Sequence, residues 1–251
     1  MCLLLRLFLA SRKESTLGRG ARRMIFWRLM GGLYIGLTTS GVWALPLTSE
    51  NCGDPFVNGV GPYDYLNPLN RSDGLRLPIV EKHHFTPEVE SLSRGHTSTD
   101  ILADIDYTLR ASPNHHRALY AMSKLFLMRN GQHDPNYRSA ECYFDRAIRF
   151  APRDAMVYMI CGIYLAKKGD TTDALTQYQE ALKLAPESPE IHYNLGLLYL
   201  SLKDYQMANY HAINAYRLGY PLPHLKTELK RAGTWNPDVL PPSVPSGQNG
   251  K

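Results

Sequence analysis

Apolar and small residues recur over residues 139–221 with two superposed periods. The shorter one is helical. Between Pro186 and Pro221, the residues Ile191, Leu195, Leu198 and Tyr199 return at steps that lay one apolar stripe along a helix. Ser188 is a good N-cap for that helix, and Pro189 falls in its first turn, where a missing N–H costs nothing. Asp204 starts a second helix whose Ala208, Ala212 and Ala215 form a small-residue face, so the first helix can dock at short range. Gly196 marks a point where a neighbouring helix comes close. The longer period is 34 residues. It relates Ala140 to Ala174 and Ala208, Ala147 to Ala181 and Ala215, Phe144 to Tyr178 and Ala212, Gly162 to Gly196, and Pro152 to Pro186. A period of this length predicts a solenoid of helix pairs, in which no pair covers its own stripe until the next one stacks on it.

Outside the two regular repeats the pattern loosens. An earlier second helix keeps the register through Ala140, Phe144, Ala147 and Pro152. The best small residue of its first helix, Ser123, lies 39 residues before Gly162, and the excess fits an inserted polar turn at Asn130–Asn136. Thr97 to Ala111 reads as a further helix ending before Pro113, with Thr97 and Asp100 spaced as a capping box and Ile101, Ile105 and Leu109 on one face. His224 to Ala232 reads as a terminal capping helix with Leu225 and Leu229 turned inward and Trp235 sealing the end. Residues 45–96 have no regular period and many Pro and Gly residues, yet Phe56, Tyr63, Tyr65, Leu66 and Phe85 make them too apolar for a plain linker. Two arrangements fit this arm: packed along the first helices, or framing or filling a groove. The expected division is a leader at 1–44, the arm at 45–96, an all-α helix-pair solenoid at 97–235 and a disordered tail at 236–251.

Taken together, Tyr158, Gly162, Ala174, Tyr178, Ala181 and Pro186, followed by Leu195, Gly196, Tyr199, Ala208 and Ala215, resemble the tetratricopeptide repeat family. The resemblance implies a right-handed solenoid of about three units with an extra N-terminal helix and a C-terminal capping helix. It departs from the family pattern at Cys161, Leu165 and His192, and at Pro221, which comes one residue late. The block from His84 to Ala118 also resembles the amino-terminal part of certain exported bacterial members. In this family the first helix of each repeat lines a concave groove. Transferred residue by residue, the groove would comprise Arg117, Tyr120, Lys124 and Leu127, then Met156, Met159, Ile163 and Ala166, then Glu190, Tyr193, Leu197 and Leu200, with Asn194 as the common groove asparagine. Such a surface is apolar and rich in Met and Tyr, with a basic rim at Arg117 and Lys124. It suits an extended or helical protein segment with hydrophobic anchors.

Charge then changes the picture. Seven of the 28 basic residues and one of the 23 acidic ones lie in the first 44, so 21 basic and 22 acidic residues remain and the net charge beyond the leader is near −1. That balance excludes a nucleic-acid-binding role, which rests on clustered Lys and Arg. Leu29 to Ala44 is an apolar run behind basic residues that ends Val42-Trp43-Ala44, as a cleaved export signal does; it is short for a membrane span. Met24 to Ala44 is a complete signal by itself. The expected location is therefore periplasmic or secreted, with a membrane touched only through an uncleaved leader.

Candidate chemistry is sparse. Beyond the leader, Cys52, Cys142 and Cys161 allow at most one internal bridge in an oxidising compartment. A Cys142–Cys161 bridge is conceivable because the two lie on neighbouring helices, which would leave Cys52 free or bridged to another molecule. Of nine histidines, His83-His84 and His115-His116 are adjacent pairs that point apart on a helix, and no pair has the spacing of a helical zinc site. His192 takes a packed position, while His211 and His224 stand alone. A metal site from His84, His96, His115 or His133 with Asp134 would need the fold to assemble it. Asp104 and Asp106 read as a solvated face and a cap. With no nucleophile elbow, phosphate loop or dinucleotide fingerprint, no catalytic residue and no cofactor are expected. The sequence points to an exported scaffold or adaptor for a protein or peptide partner in envelope assembly or secretion. A metal-binding accessory enzyme module built on the His-rich 83–133 region is the alternative, and a self-assembling structural unit the third reading.

Overall fold

The computed structural model describes residues 47–238 except Ser49, Asp73, Gly131 and His133. The leader expected at 1–44 and most of the tail expected at 236–251 lie outside the described residues. Those described form eleven helices and no strand. In chain order they are α1 (Pro68–Ser72), α2 (Leu77–His84), α3 (Pro87–Glu90), α4 (Ile101–Ala111), α5 (His116–Met128), α6 (Ala140–Phe150), α7 (Ala155–Lys168), α8 (Thr171–Leu184), α9 (Pro189–Ser201), α10 (Tyr205–Arg217) and α11 (His224–Arg231).

Polar residues fix where the solenoid helices begin. Ser139 accepts the Cys142 N–H, Ser188 that of Ile191, and Asp204 that of Met207, each capping an N-terminus with a side-chain oxygen. Asp100 rather than Thr97 caps α4, which starts at Ile101, four residues after the Thr97 start read from the sequence. Thr97 is drawn away because its hydroxyl and amide both bind the Asp104 carboxylate. At the end of α7, Gly169 takes φ 101° and turns the chain into α8. The corresponding turn one repeat later places Lys203 at φ 60°, a conformation that disfavours any residue with a Cβ.

Helices α7 and α8, and α9 and α10, pack as tight pairs, while α5, α7 and α9 succeed one another. The close approach expected at Gly196 is present, and Gly162 one repeat earlier shares it. A Cβ on Gly162 would sit 3.0 Å from the Tyr178 ring, and one on Gly196 would sit 2.5 Å from Leu225 of α11. Ile191, Leu195 and Leu198 are buried in the main core, which runs from Phe85 and Val89 through α9. A second cluster joins Ala208, Ala212 and Ala215 to Leu225 and Leu229, with Trp235 against it, so α11 covers the last apolar surface.

The arm is more structured than its sequence suggested. It contains α1, α2 and α3, elements too short and too interrupted by Pro and Gly to show a period. Leu77, Val80 and Val89 are buried, and α2 packs on α4. The Tyr63 amide donates to the Ala111 carbonyl at 2.8 Å, and the Tyr65 amide to Asn114 Oδ1 at 3.0 Å. The first part of the arm lies on α6. There the cysteine expectation is overturned: Cys52 is bridged to Cys142, with Cα atoms 5.1 Å apart, and Cys161 is a buried free thiol. Around the bridge, Arg146 Nη1 donates to the carbonyls of Cys52 (3.2 Å) and Asp54 (2.9 Å), and Arg149 Nη2 to that of Gly53 (2.6 Å). Arg146 is 3% exposed, so these carbonyls replace the water its guanidinium has lost.

Candidate functional site

Because side chains three, four and seven positions apart share one helix face, α5 presents Arg117, Tyr120 and Lys124 together, and α7 presents Met156, Met159 and Ile163. These six and Asn194 of α9 line one groove of about 440 Å³. Seven of the thirteen sequence-selected residues are thus brought together. Leu127, Ala166, Glu190, Tyr193, Leu197 and Leu200 are not among the lining residues. Tyr193 is 5% exposed because Tyr220 stacks on it at a centroid distance of 4.0 Å. Leu197 packs into the second cluster, and Glu190 is exposed at the start of α9, where it accepts from Ser188 Oγ. The groove also takes in Glu90, His116, Ala121, Ile160 and Tyr220, none of which the sequence singled out for this role. Ala121 and Ile160 lie next to selected residues on the same helices. Glu90 ends the four-residue α3 and Tyr220 lies in the connection between α10 and α11, and no period encodes the placement of either.

The arm contributes Glu90 to this lining, so it frames the groove at one end. That contact alters the expected basic rim. Arg117 Nε donates to Glu90 Oε1 at 2.8 Å, a second nitrogen contacts Oε2, and Glu81 lies 3.9 Å away. Hydrogen bonding to Arg117 holds the Glu90 carboxyl below its usual range and raises the guanidinium pKa in turn. Lys124 remains as a cation with no carboxylate in ion-pair range among the described residues; it lies over the Tyr120 ring at 5.4 Å.

His115 supports this end of the groove from below. Its Nδ1 accepts the Ala118 N–H, so Nε2 carries the proton and donates to Glu81 at 2.9 Å. Burial lowers the His115 pKa, and the hydrogen bond to His115 lowers that of Glu81. His116 Nε2 lies 2.8 Å from Asp154, which also caps α7, and His84 lies 3.1 Å from Asp104. These histidines of the 83–133 region are each engaged with a carboxylate from another element. No group of three or more potential metal ligands occurs among the described residues. Asp104 and Asp106 are not a solvated face. Asp104 is fully buried under the amides of His96 and Thr97, and Asp106 receives the Tyr143 hydroxyl at 2.8 Å. Nor does His211 stand alone. His192 Nε2 donates to the Pro186 carbonyl, leaving its Nδ1 to accept from His211 Nδ1 at 2.9 Å, and burial pushes the His211 pKa down to about 3.

A larger hollow of about 740 Å³ lies between arm residues Glu50–Phe56 and Asp145 and Arg149 of α6. It is the open seam of the arm, and Arg149 there is already engaged with Asp145 and Gly53. The smaller groove, with its apolar floor and unpaired cation, is the better binding surface.

Residues 162–203, from mid-α7 to the turn after α9, match the family model described as TPR repeat. The BBSome complex member BBS4 of Bos taurus is 39% identical over 62 residues, which is 25% of this chain and 12% of that protein. No solved structure matches the chain. The matched stretch includes Ile163 and Asn194 of the groove, and the repeat model and the stacked helix pairs agree on a helix-pair solenoid of tetratricopeptide-like form.

Proposed function

We propose that this chain is an exported adaptor or assembly factor that holds a segment of a partner protein in the groove formed by α5, α7 and α9. One observation carries the reading: three successive first helices place Tyr120, Met156 and Ile163 on one accessible face above the buried Met159, with Lys124 and Asn194 beside them. Apolar anchors with a few polar groups are what recognition of an extended or helical segment requires. The naming of a similar protein as a member of a complex is in keeping with a scaffold role. Export to an oxidising compartment, in our reading the bacterial envelope, is supported by the signal-like leader and by the Cys52–Cys142 bridge, since such bridges are rare in reducing cytosol. No described helix is long and apolar enough to cross a membrane.

The test compares partners co-purified with the wild-type chain and with an Ile163→Glu variant that keeps its melting temperature. Ile163 is only partly buried, so a carboxylate there meets water as well as the groove. Loss of one stoichiometric partner is expected; an unchanged set of partners contradicts the proposal. Cell fractionation with thiol labelling tests the compartment, for which a cytosolic, reduced protein is the contrary result.

A further inference from the structure

The contact between Glu90 and Arg117 has the form of a ligand contact made by the chain with itself. A carboxylate meets the guanidinium fork side-on with two oxygens, at the solvent-open end of the groove, where the two side chains are 36% and 47% exposed. The element that delivers it is slight: α3 is four residues long, and Val89 is its one buried side chain. On the same face of α5, seven residues on and so about 10 Å along the axis, Lys124 has no such partner. Met156 and Ile163 provide an apolar floor alongside. The groove therefore holds two cations in line, one covered by the arm and one open.

We propose that Glu90 stands in for a carboxylate of the bound partner: the groove takes a protein segment with large apolar side chains and two acidic ones, and binding exchanges the arm's carboxylate on Arg117 for the partner's. This rests on the adaptor reading of the groove. The spacing defines the segment further. About 10 Å corresponds to about three residues of an extended chain of the polyproline type, whose side chains return to one face at that step. Lys124 makes the first, unhindered contact, and a second carboxylate on the segment displaces Glu90 from Arg117.

The probe is a labelled peptide of about twelve residues carrying two Glu about three positions apart among Leu and Phe, with a Gln isostere as control. Binding to the full chain is read by fluorescence anisotropy at low salt. The expected result is about three- to fivefold tighter binding of the Glu peptide, the one net ion pair at Lys124, since the contact at Arg117 is an exchange; the preference shrinks at high salt. Lys124→Glu abolishes the preference. Glu90→Gln tightens the Glu peptide by about three- to fivefold, the scale of one exposed ion pair, and changes binding of the Gln peptide by less than that. Equal affinity of the two peptides, both weakened by Ile163→Glu, overturns this proposal and leaves the groove reading standing. Binding that Ile163→Glu does not weaken, or no binding of either peptide, overturns the proposal by removing the groove reading on which it rests. Weaker binding of the Glu peptide to Glu90→Gln would mean that Glu90 holds Arg117 in place for the partner, and also overturns it.

Discussion

Replacing Cys52 and Cys142 together by serine cuts the covalent tie between the arm and α6. The bridge spans a sequence separation of 90, and in the chain-entropy description closing a loop of that length stabilises the folded state by about 4.6 kcal/mol. Measured values for native bridges fall at about 2–5 kcal/mol, so a loss of about 3 kcal/mol is the working expectation. In a chain of this size that lowers Tm by about 6–12 °C. The effect does not stop at the loop. Both cysteines are buried, and the carbonyls of Cys52 and Asp54 satisfy the buried Arg146, so an arm that detaches leaves this guanidinium short of acceptors. Burial also lowers the Arg146 pKa to about 10, a sign that its site already disfavours the charge. Denaturant unfolding of the wild type and the double variant, both without reductant, measures the loss. Alkylation of the native, unreduced protein followed by peptide mapping should leave Cys52, Cys142 and the buried Cys161 unlabelled. Labelling of Cys52 or Cys142, or equal stability of the variant, refutes the reasoning.

Three further expectations concern the repeats and their buried histidines. Ala208→Leu places a large side chain on the fully buried face of α10 and should cost about 1–3 kcal/mol in a denaturant titration; unchanged stability would break the repeat register. Lys203→Gly relieves a side chain held at φ 60° and, after the glycine's extra chain entropy, should raise stability by about 0.5–1 kcal/mol; a lower Tm contradicts that. His115, His192 and His211 are buried with folded pKa values below 6.5, so the unfolded chain binds more protons in acid. Their stabilising contribution is complete above about pH 6.5 and falls as pH is lowered, His211 alone losing about 2 kcal/mol between about pH 7 and pH 5. Hydrogen bonding that depresses Glu81 adds a loss in the same direction at lower pH. Stability that is flat or rising toward pH 5 would contradict the neutral, buried histidines.

Much of the solenoid was legible because a repeat announces itself. Ala174, Ala181, Ala208 and Ala215 are small at one spacing because a neighbouring helix passes over each, and Gly196 is small because Leu225 presses on it. Caps such as Ser188 and Asp204 are local, and a local signal survives in one sequence. The groove was legible as far as it lies on the regular faces of α5 and α7. It became less so toward α9, where Tyr220 from a connecting turn buries Tyr193. What the sequence did not reveal are pairings between distant elements: Cys52 with Cys142, Glu90 with Arg117, His192 with His211. No period relates such partners, and each depends on how helices are stacked. The short helices of the arm form because α4 and α5 give them a surface, which their own residues do not encode.

The central claim is that the face shared by Tyr120 and Met156 holds a partner protein. Photo-crosslinking in the cell, with a photoreactive residue at Tyr120, which is 39% exposed in the groove, and a control at the exposed Gln206 of α10, measures this most directly. One discrete adduct is expected from Tyr120, absent from Gln206 and lost in the Ile163→Glu background. The same adduct from both positions, or from Tyr120 only links within the chain itself, would contradict it.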